Sequence, residues 1–417
     1  MIVSDARAQK GLRRVKTLDL DGVKDPREHG RYGHIPLVRL LVFALAVGRS
    51  TLRAVESLGD DLSQATLCAL GLQRAPSDTL VYRLLAEQSL VGWAQVLVRQ
   101  VKDALLHKDI ENDLFAMGVV SIDGKSAWSG MFAADPNCRD QKSDGLPSFV
   151  LMSQRACLTS SSARPVVTQT LIPKHAGEAD TFATTFSFLI RHFRRSFEVI
   201  TYDAGGTSRR NAELVNAANK AYVFAIKGNQ PTVHLAAQTR LGNKDGLDDA
   251  EQVFEVFSEE RVDGGMLRRE VVRCPVQADD PDINFPTARQ LWRCRQTHTK
   301  TLPGGTVERI IEDRYFITNR VFSASQALAL VRLHWGIENG PNWTMDMQLG
   351  EDDGTPCRNG RGVAVTSWLR LLAYNLLSMW RRKLPPRRDE GITPWARAMS
   401  SLLYALQLNP TSVVTPV

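Results

Sequence analysis

Gly118-Val119-Val120-Ser121-Ile122-Asp123-Gly124-Lys125 places an aspartate and a glycine directly after a short apolar run. Val199-Ile200-Thr201-Tyr202-Asp203-Ala204-Gly205 repeats this arrangement further along the chain. In α/β proteins, ligands and metals bind where the strands of the sheet end. Asp123 and Asp203 are therefore candidates for one shared site, although each alone could equally be a turn-forming or helix-capping aspartate.

The hydrophobic pattern around these two runs alternates between strand and helix. Strands are predicted over residues 117–122, 149–157, 166–172, 199–202 and 222–226, and helices near 180–193 and 208–219. Strands joined by short turns must be antiparallel, whereas strands joined through a helix can be parallel. The order predicts an α/β fold with a mixed sheet flanked by helices, and it is similar to the order of the ribonuclease H-like fold.

Two further patterns flank this core. Before it, apolar residues recur at spacings of three and four, which predicts an N-terminal helical domain and a buried helix over residues 35–47. After it, strand-like runs at 253–257, 271–274, 291–295 and 315–318 predict a β-rich insertion. A helical pattern resumes near Ser325, a candidate N-cap, and completes the core.

A third acid breaks the apolar stripe of this last helix. Leu328, Val331 and Trp335 follow one another at helical spacing, and the next position on the stripe is Glu338. The pattern predicts that Glu338 points toward the core, where an unpaired charge costs several kcal/mol. We therefore expect a partner or a metal ion; pairing with Arg332 or exposure at the helix edge are the alternatives.

Three carboxylates suit phosphoryl transfer because hard divalent cations such as Mg²⁺ prefer oxygen ligands. Two ions held about 3.5–4 Å apart can activate an attacking oxygen and stabilise a leaving one. No covalent enzyme intermediate is needed. Asp123, Asp203 and Glu338 are accordingly the predicted catalytic and metal-binding residues.

These residues and their neighbours resemble the DDE transposases of bacterial insertion sequences, specifically the H-repeat-associated protein family. The resemblance rests on segments in the family's order, with weaker agreement between residues 25 and 380: Ser121-Ile122-Asp123-Gly124-Lys125, Thr201-Tyr202-Asp203-Ala204, Tyr222 to Gln230 and His334-Trp335-Gly336-Ile337-Glu338-Asn339. The sequence departs from the family pattern in two segments. Asn342 stands where a histidine is usual, and the neighbouring Pro341 should bend or end the helix. Many relatives carry lysine-serine-asparagine-glutamate where this chain has Lys174-His175-Ala176-Gly177-Glu178.

The resemblance implies a ribonuclease H-like catalytic domain, Mg²⁺ dependence with Mn²⁺ as a substitute, and recognition of terminal inverted repeats in double-stranded DNA. It assigns Asp123, Asp203 and Glu338 as the metal-binding triad. We expect a homodimer, since paired DNA ends must be synapsed, and a second DNA molecule as target. The predicted domains are residues 1–112 (N-terminal, helical, DNA-binding), 113–233 (catalytic core), 234–322 (β-rich insertion), 323–380 (core with the acidic helix) and 381–417 (basic tail).

Several other side chains are candidates for DNA contact, each weighed against an ordinary structural role. The charged or titratable candidates are Lys125 and Lys227 near the strand ends, His334 one turn before Glu338, the cluster Arg191 to Arg195, and the tail residues Arg381, Arg382, Lys383, Arg387 and Arg388. Trp292 could stack on an unpaired base, but core packing is the better explanation for it. Asp346, Glu351, Asp352 and Asp353 compete for the third ligand position but are predicted to form a solvated turn.

The composition of the chain limits which partners and which cellular compartment are expected. The 417 residues carry a net charge of +7, which suits a polyanionic partner. Six scattered cysteines predict a reduced compartment and no structural zinc. The sequence shows neither a secretory signal nor a run of about 20 apolar residues, so we expect a cytoplasmic, nucleoid-associated bacterial protein.

Three functional hypotheses follow. The first is a DNA transposase that catalyses metal-dependent phosphodiester hydrolysis and strand transfer at insertion-sequence ends. The second keeps the nuclease activity without integration. The third is a domesticated, transposase-derived DNA-binding protein that has lost turnover.

Overall fold

A large mixed sheet with helices on both faces forms the centre of the molecule. The computed structural model describes residues 18–27, 30–143, 145–242, 256–262, 265–278, 280–285, 287–302, 304–352, 356–357, 359–385 and 393–408. Asp353, Arg387 and Arg388 and the first residues of the predicted strand at 253–257 lie outside this described part.

The elements follow the predicted order. The N-terminal helices are α1 (His34–Ala46), α2 (Leu52–Asp61), α3 (Gln64–Leu70), α4 (Asp78–Glu87) and α5 (Trp93–Leu106). The core comprises β1 (Val119–Gly130), β2 (Arg139–Ser143), β3 (Leu146–Leu158), β4 (Val166–Leu171), α6 (Glu178–Phe193), β5 (Val199–Tyr202), α7 (Arg209–Ala217), β6 (Ala221–Ile226) and α8 (Pro231–Gly242). Next come β7 (Val256–Val262), β8 (Gly265–Pro275), β9 (Gln290–Thr301), β10 (Val307–Thr318), α9 (Ala324–Ile337), a π-helical turn (Glu338–Asn342), α10 (Trp343–Met347), α11 (Gly360–Lys383) and α12 (Trp395–Leu408).

The strand directions are mixed, as predicted. The sheet runs in the order β2-β3-β1-β5-β6-β10-β9-β8-β7, and β4 also pairs with β3. β1, β5 and β6 are parallel to one another, whereas β3 is antiparallel to both β1 and β4. β5 and β6 are buried along their whole length, which explains why their sequences are almost continuously apolar rather than alternating.

Each face of the central strands packs against a different helix. Val120, Ile122 and Tyr202 share a core with Phe182 of α6, whereas Val119 and its neighbours on β5 and β6 pack with Leu328 and Val331 of α9. This division follows from the alternation of side chains along a strand. Ser121, Asp123, Thr201 and Asp203 consequently face the α9 side.

The predicted insertion joins the main sheet rather than forming a sheet of its own. β10 pairs with β6 through Tyr315 opposite Ile226, and β9, β8 and β7 follow antiparallel. The structure differs from the sequence analysis in several places. β1 continues to Gly130 instead of ending at Ile122, and helix α8 occupies the start of the predicted β-rich insertion. β2 was not predicted, and Ser323 rather than Ser325 caps α9: its hydroxyl accepts from Gln326 N at 3.2 Å while Gln326 Oε1 accepts from Ser323 N at 2.9 Å.

The N-terminal helices share a core with the last part of the chain. Leu37 and Phe43 of α1 lie in the same apolar cluster as Leu369 and Leu376 of α11 and Leu402 of α12. Residues 34–46 form the expected buried helix. The division into five domains stays a prediction, but the helices at the two ends of the described chain pack as one unit.

Candidate active site

The two aspartates lie side by side where the parallel pairing of β1 and β5 stops: Asp203 directly follows β5, whereas Asp123 lies within β1, which continues to Gly130 in antiparallel pairing with β3. Ile122 of β1 is the register partner of Tyr202 of β5, and Asp123 and Asp203 are the next residues on their strands. Adjacent strands lie about 4.8 Å apart, so this register brings the two aspartates together. Asp203 Oδ1 accepts a hydrogen bond from Gly205 N at 3.1 Å, which orients its carboxylate.

Helix α9 is fixed to these strands one turn before Glu338. His334 Nδ1 lies 3.0 Å from Thr201 Oγ1, and Thr201 Oγ1 in turn lies 2.8 Å from Ser121 Oγ. His334 is 4% exposed, and burial lowers its pKa to about 4, so the ring is neutral near pH 7. The predicted contact between His334 and DNA is therefore wrong for this arrangement, because the side chain is enclosed; it positions the end of α9 instead.

Glu338 lies where the helical geometry changes. α9 ends at Ile337, and residues 338–342 form a π-helical turn that contains Pro341. Proline cannot continue the α-helical hydrogen bonding, which explains the change predicted from the sequence. Glu338 is exposed, so the prediction that it points into the core is wrong; Trp335, the preceding position on the same stripe, is already only half-buried, so the stripe leaves the core before it reaches Glu338 at the edge of the site.

Like charges gather around Asp123. Burial raises its pKa to about 7, and Glu338, Asp203 and Glu178 add to that rise. Burial also raises the pKa of Glu338 and of Asp203, against the effect of nearby basic residues: Arg314 and Lys227 for Glu338, and Lys227 for Asp203. The three predicted carboxylates therefore share one electrostatic environment in which a cation would be favourable.

Glu178 is a fourth carboxylate at this site, and the sequence analysis did not assign it a role. It begins α6 on the opposite face of the sheet from α9. Burial and Asp203 raise its pKa, whereas Arg139 and a hydrogen bond with the Tyr202 hydroxyl oppose the rise. The available signal was its place in the family segment Lys174 to Glu178, where relatives also carry a glutamate.

Glycine opens the route by which Glu178 reaches the aspartates. A Cβ on Gly124, the residue after Asp123, would collide with Glu178 Oε1. A Cβ on Gly205 would lie 2.9 Å from Glu178 Oε2 and 3.4 Å from Asp203 Oδ1. The carboxylate of Glu178 thus occupies the space that side chains at these two positions would fill.

Asn342 supports Asp123 from the π-helical turn. Its Nδ2 donates to Asp123 Oδ2 at 2.8 Å, and the residue is 5% exposed. Its Oδ1 is buried and has no hydrogen-bond partner in the structure. The asparagine that stands where the family usually has histidine therefore keeps a donor on the aspartate and leaves one acceptor available beside it.

Comparisons with known proteins agree with this geometry. The family model of the transposase DDE domain matches residues 148–376, which is more than half of the chain. The chain belongs to the DDE transposase family. YbfL of Escherichia coli K12 is 27% identical over 182 residues, and "H repeat-associated putative transposase YhhI" of the same organism is 26% identical over 182 residues. Each alignment covers 43% of this chain and 47% of the relative, so the match spans about half the length of these proteins.

The transposase DDE domain match includes Asp203 and Glu338 and begins after Asp123. The family generally uses divalent metal ions, and the donor set here fits one: oxygen ligands from acids that repel one another, next to the unsatisfied Oδ1 of Asn342. In the described part of the chain, no three His, Cys, Asp or Glu side chains are arranged to hold an ion as they stand. The acids are near one another without forming a finished coordination shell.

The competing acids near the end of α9 are bound in a separate network. Glu351 is 3% exposed and accepts two hydrogen bonds from Arg155, at 2.8 and 2.6 Å, and Asp346 forms an ion pair with Lys125. The prediction of a solvated turn is wrong for these two acids, because both have buried or half-buried cationic partners. Lys125 is likewise held by Asp346 rather than extended toward solvent.

The remaining DNA candidates of this transposase-family chain differ in exposure. Lys227 is exposed beside the acids, and its charge opposes the rise in the pKa values of Asp203 and Glu338. Trp292 is fully buried, which confirms its expected core packing.

The basic residues at the end of α11 have partners inside the protein. Arg381 donates to the Thr393 carbonyl and stacks on Trp395 at 4.1 Å, Arg382 lies 3.2 Å from the carboxylates of Glu111 and Asp113, and Lys383 pairs with Asp109. A role for these three in DNA binding stays a prediction. No described helix is long and apolar enough to cross a membrane.

Proposed function

We propose that this chain is an active DNA transposase that hydrolyses phosphodiester bonds at the ends of a mobile element and transfers the released 3′ ends to target DNA. The observation that carries the proposal is the register of β1 and β5, which sets Asp123 beside Asp203, together with the influence of Glu338 on Asp123. The family membership agrees with it. The mixed sheet with three parallel central strands supports a ribonuclease H-like core.

Asp123, Asp203 and Glu338 would hold Mg²⁺, or Mn²⁺ in its place. Two such ions, when bound, supply stabilisation of the attacking and leaving oxygens during in-line displacement. The carboxylates must be ionised to do this, and the cation would lower the raised pKa of Asp123 by neutralising its neighbours. Asn342 orients Asp123 through its Nδ2, and His334 holds the end of α9 against the strands.

The exposure of Glu338 suits a site that closes on DNA. Its side chain lies at the edge of the site, where it can rotate toward Asp123 when positive charge draws the acids together. Lys227 is exposed on the same side and can contact the phosphate backbone as a mobile point charge. Because one site would perform hydrolysis and strand transfer, no covalent intermediate with the protein is required.

The decisive experiment combines a cleavage assay with a binding assay on the same DNA. Asp123→Asn keeps the size and the contact with Asn342 but removes the charge. We expect it to abolish Mg²⁺-dependent nicking, a loss of at least about 10³-fold, while DNA affinity changes little. Cleavage retained at the wild-type rate would overturn the assignment of Asp123.

The two alternatives give different results with a donor DNA that carries terminal inverted repeats. A nuclease without integration yields nicked ends and no strand-transfer product. A silent DNA-binding protein shifts the DNA in a gel without nicking it. We expect both nicking and strand transfer, with target DNA joined to the released 3′ ends. We also expect a homodimer in the paired-end complex.

A further inference from the structure

A groove lined by arginines runs beside the candidate site. One cavity of about 410 Å³ is bordered by Arg164, Asn339, Trp343 and Arg381, and a second of about 530 Å³ is bordered by Arg164, Arg332, Trp335 and Asn339. The two share Leu114, Arg164 and Asn339, so they form one continuous depression along the end of α9. Asn339 follows Glu338 directly, which places this arginine groove next to the acids.

Arg164 is the central cation of the groove and lies across the turn that carries Glu338. Its guanidinium occupies the space above two glycines that flank Glu338: a Cβ on Gly336 would lie 3.3 Å from Arg164 Cζ, and one on Gly340 would lie 3.3 Å from its Nη1. A methyl group at either position would press on the arginine side chain and shift it by a few tenths of an ångström, so the two glycines let it pack closely on the helix end.

Two further observations indicate that Arg164 is held for a ligand outside the chain. Its backbone adopts φ of 42°, a left-handed conformation that costs energy for a residue with a side chain. Among the described residues, none forms an ion pair with its guanidinium, and its Nε is buried without a hydrogen-bond acceptor. A half-buried cation in this state favours an anionic partner.

We propose that Arg164 binds a backbone phosphate of the DNA strand that runs through the arginine groove toward Glu338. This inference rests on the proposed function for the identity of the ligand. The planar fork of arginine matches the oxygens of a phosphodiester, and the row of arginines follows a polyanion better than a small acid. Trp335 and Trp343 line the groove and offer ring faces to the bases of the bound strand.

The test measures DNA binding in the absence of turnover. The Asp123→Asn protein is titrated against a mixed-sequence duplex with a 3′ single-stranded extension, in EDTA, at several salt concentrations. Each phosphate contact contributes about 0.9 to the slope of log K against log salt, which corresponds to about fivefold in affinity near 0.15 M salt. Arg164→Gln should therefore weaken binding about fivefold there and lower the slope by about 0.9.

Three variants make the result specific. Arg361→Gln removes the same charge from an exposed position near the start of α11, 20 residues from Arg381 on the same helix and thus about 30 Å away; it should leave the slope unchanged. Arg164→Lys should keep the slope and lose only part of the affinity. Gly336→Ala keeps the charge and shifts the guanidinium by only a few tenths of an ångström, so it should keep the slope and lower the affinity less than Arg164→Gln does.

Equal behaviour of Arg164→Gln and Arg361→Gln would overturn the proposal, as would equal loss of slope in Arg164→Lys and Arg164→Gln or a wild-type chain that does not bind this DNA. The outcome is separate from that of the cleavage experiment, since it contains no catalytic step. If the protein cleaves no DNA but Arg164→Gln still lowers DNA affinity and the salt slope, the proposed activity is refuted and the proposal for the arginine groove stands.

Discussion

Asp123 and Glu351 compete for one cation, and only Glu351 has it. Arg155 of β3 is the direct register partner of Asp123 on β1, yet both of its terminal nitrogens donate to Glu351. The pKa of Glu351 is lowered by Arg155 despite complete burial, whereas the pKa of Asp123 is raised to about 7. Two acids close to the same arginine thus have opposite electrostatic roles.

The difference shows how the fold keeps one set of carboxylates without counterions. Glu351 neutralises Arg155 on the neighbouring strand β3, and Asp346 neutralises Lys125 on β1 itself, so neither cation is available to Asp123. The paired acids contribute to the core. The unpaired acids, Asp123, Asp203, Glu178 and Glu338, remain able to accept an added cation, and their mutual repulsion is the cost of keeping that ability.

The largest effect is expected from Glu351→Gln. The change leaves Arg155 buried without a full counter-charge, and loss of one partner from a buried pair costs roughly 3–5 kcal/mol. Denaturant unfolding should show this decrease in the free energy of unfolding. Glu213→Gln, which breaks the exposed pair with Arg209, is the control and should cost at most about 0.5 kcal/mol. Equal losses in the two variants would show that the Arg155 pair is not the structural anchor that its burial indicates.

A smaller effect on metal affinity is expected from Glu178→Gln. If Glu178 is part of the candidate site, Mn²⁺ affinity should fall about tenfold or more, as for other groups that support metal ligands, without a loss of melting temperature in EDTA. Asp180→Asn provides the control on the same helix turn, because Asp180 accepts from Gly177 N at 2.9 Å and caps α6. The amide oxygen can still accept from Gly177 N, so only the negative charge at the start of α6 is lost; the change should cost about 0.3–1 kcal/mol of stability and leave Mn²⁺ affinity unchanged. The reverse pattern would give Glu178 a purely structural role.

The smallest expected effect is a pH-dependent difference in the free energy of unfolding between Asp123→Asn and the wild type. The folded protein raises the pKa of Asp123 from 3.8 to about 7, so the folded state binds this proton more tightly than the unfolded state. The contribution of Asp123 to stability therefore falls as the pH rises from about 4 to about 7. Without metal, Asp123→Asn should be the more stable protein at pH 8, by roughly 1–2 kcal/mol after screening, and the advantage should shrink toward pH 4.

His334 titrates in the same range with the opposite sign, which is why the variant is compared with wild type at each pH. Its pKa is lowered from 6.5 to about 4, so its contribution is present above pH 6.5 and is lost as the pH falls toward 4. Saturating Mn²⁺ should reverse the order of the melting temperatures, because bound metal stabilises the wild type. A difference that does not vary with pH or metal would contradict the unpaired state of Asp123.

The sequence predicted the parts of the site that depend on local pattern. Asp123 and Asp203 each follow a short, mostly apolar run, and these runs form the buried parallel pair that brings the two aspartates together, although β1 continues past Asp123 instead of ending there. The mixed strand order followed from connection lengths in the same way. Residues 199–202 form the predicted strand without any change of boundary.

The parts that sequence reasoning missed depend on contacts across the fold. Glu178 approaches from the α6 face through the gap at Gly124, and no pattern within either segment shows that they meet. Glu338 continues the apolar stripe of α9 in sequence, but how far along the helix the core extends depends on the elements packed against it, and Trp335 is already only half-buried. The pairing of Glu351 with Arg155 likewise joins two segments that are far apart in sequence.

The shared apolar cluster of α1, α11 and α12 has a consequence for how the molecule can be divided. A fragment that starts at β1 would keep all four acids but would expose the faces of α11 and α12 that α1 normally covers. Such a fragment should self-associate, and an inactive result with it would say nothing about the chemistry. The N-terminal helices and the candidate active site therefore have to be produced, varied and assayed as a single polypeptide.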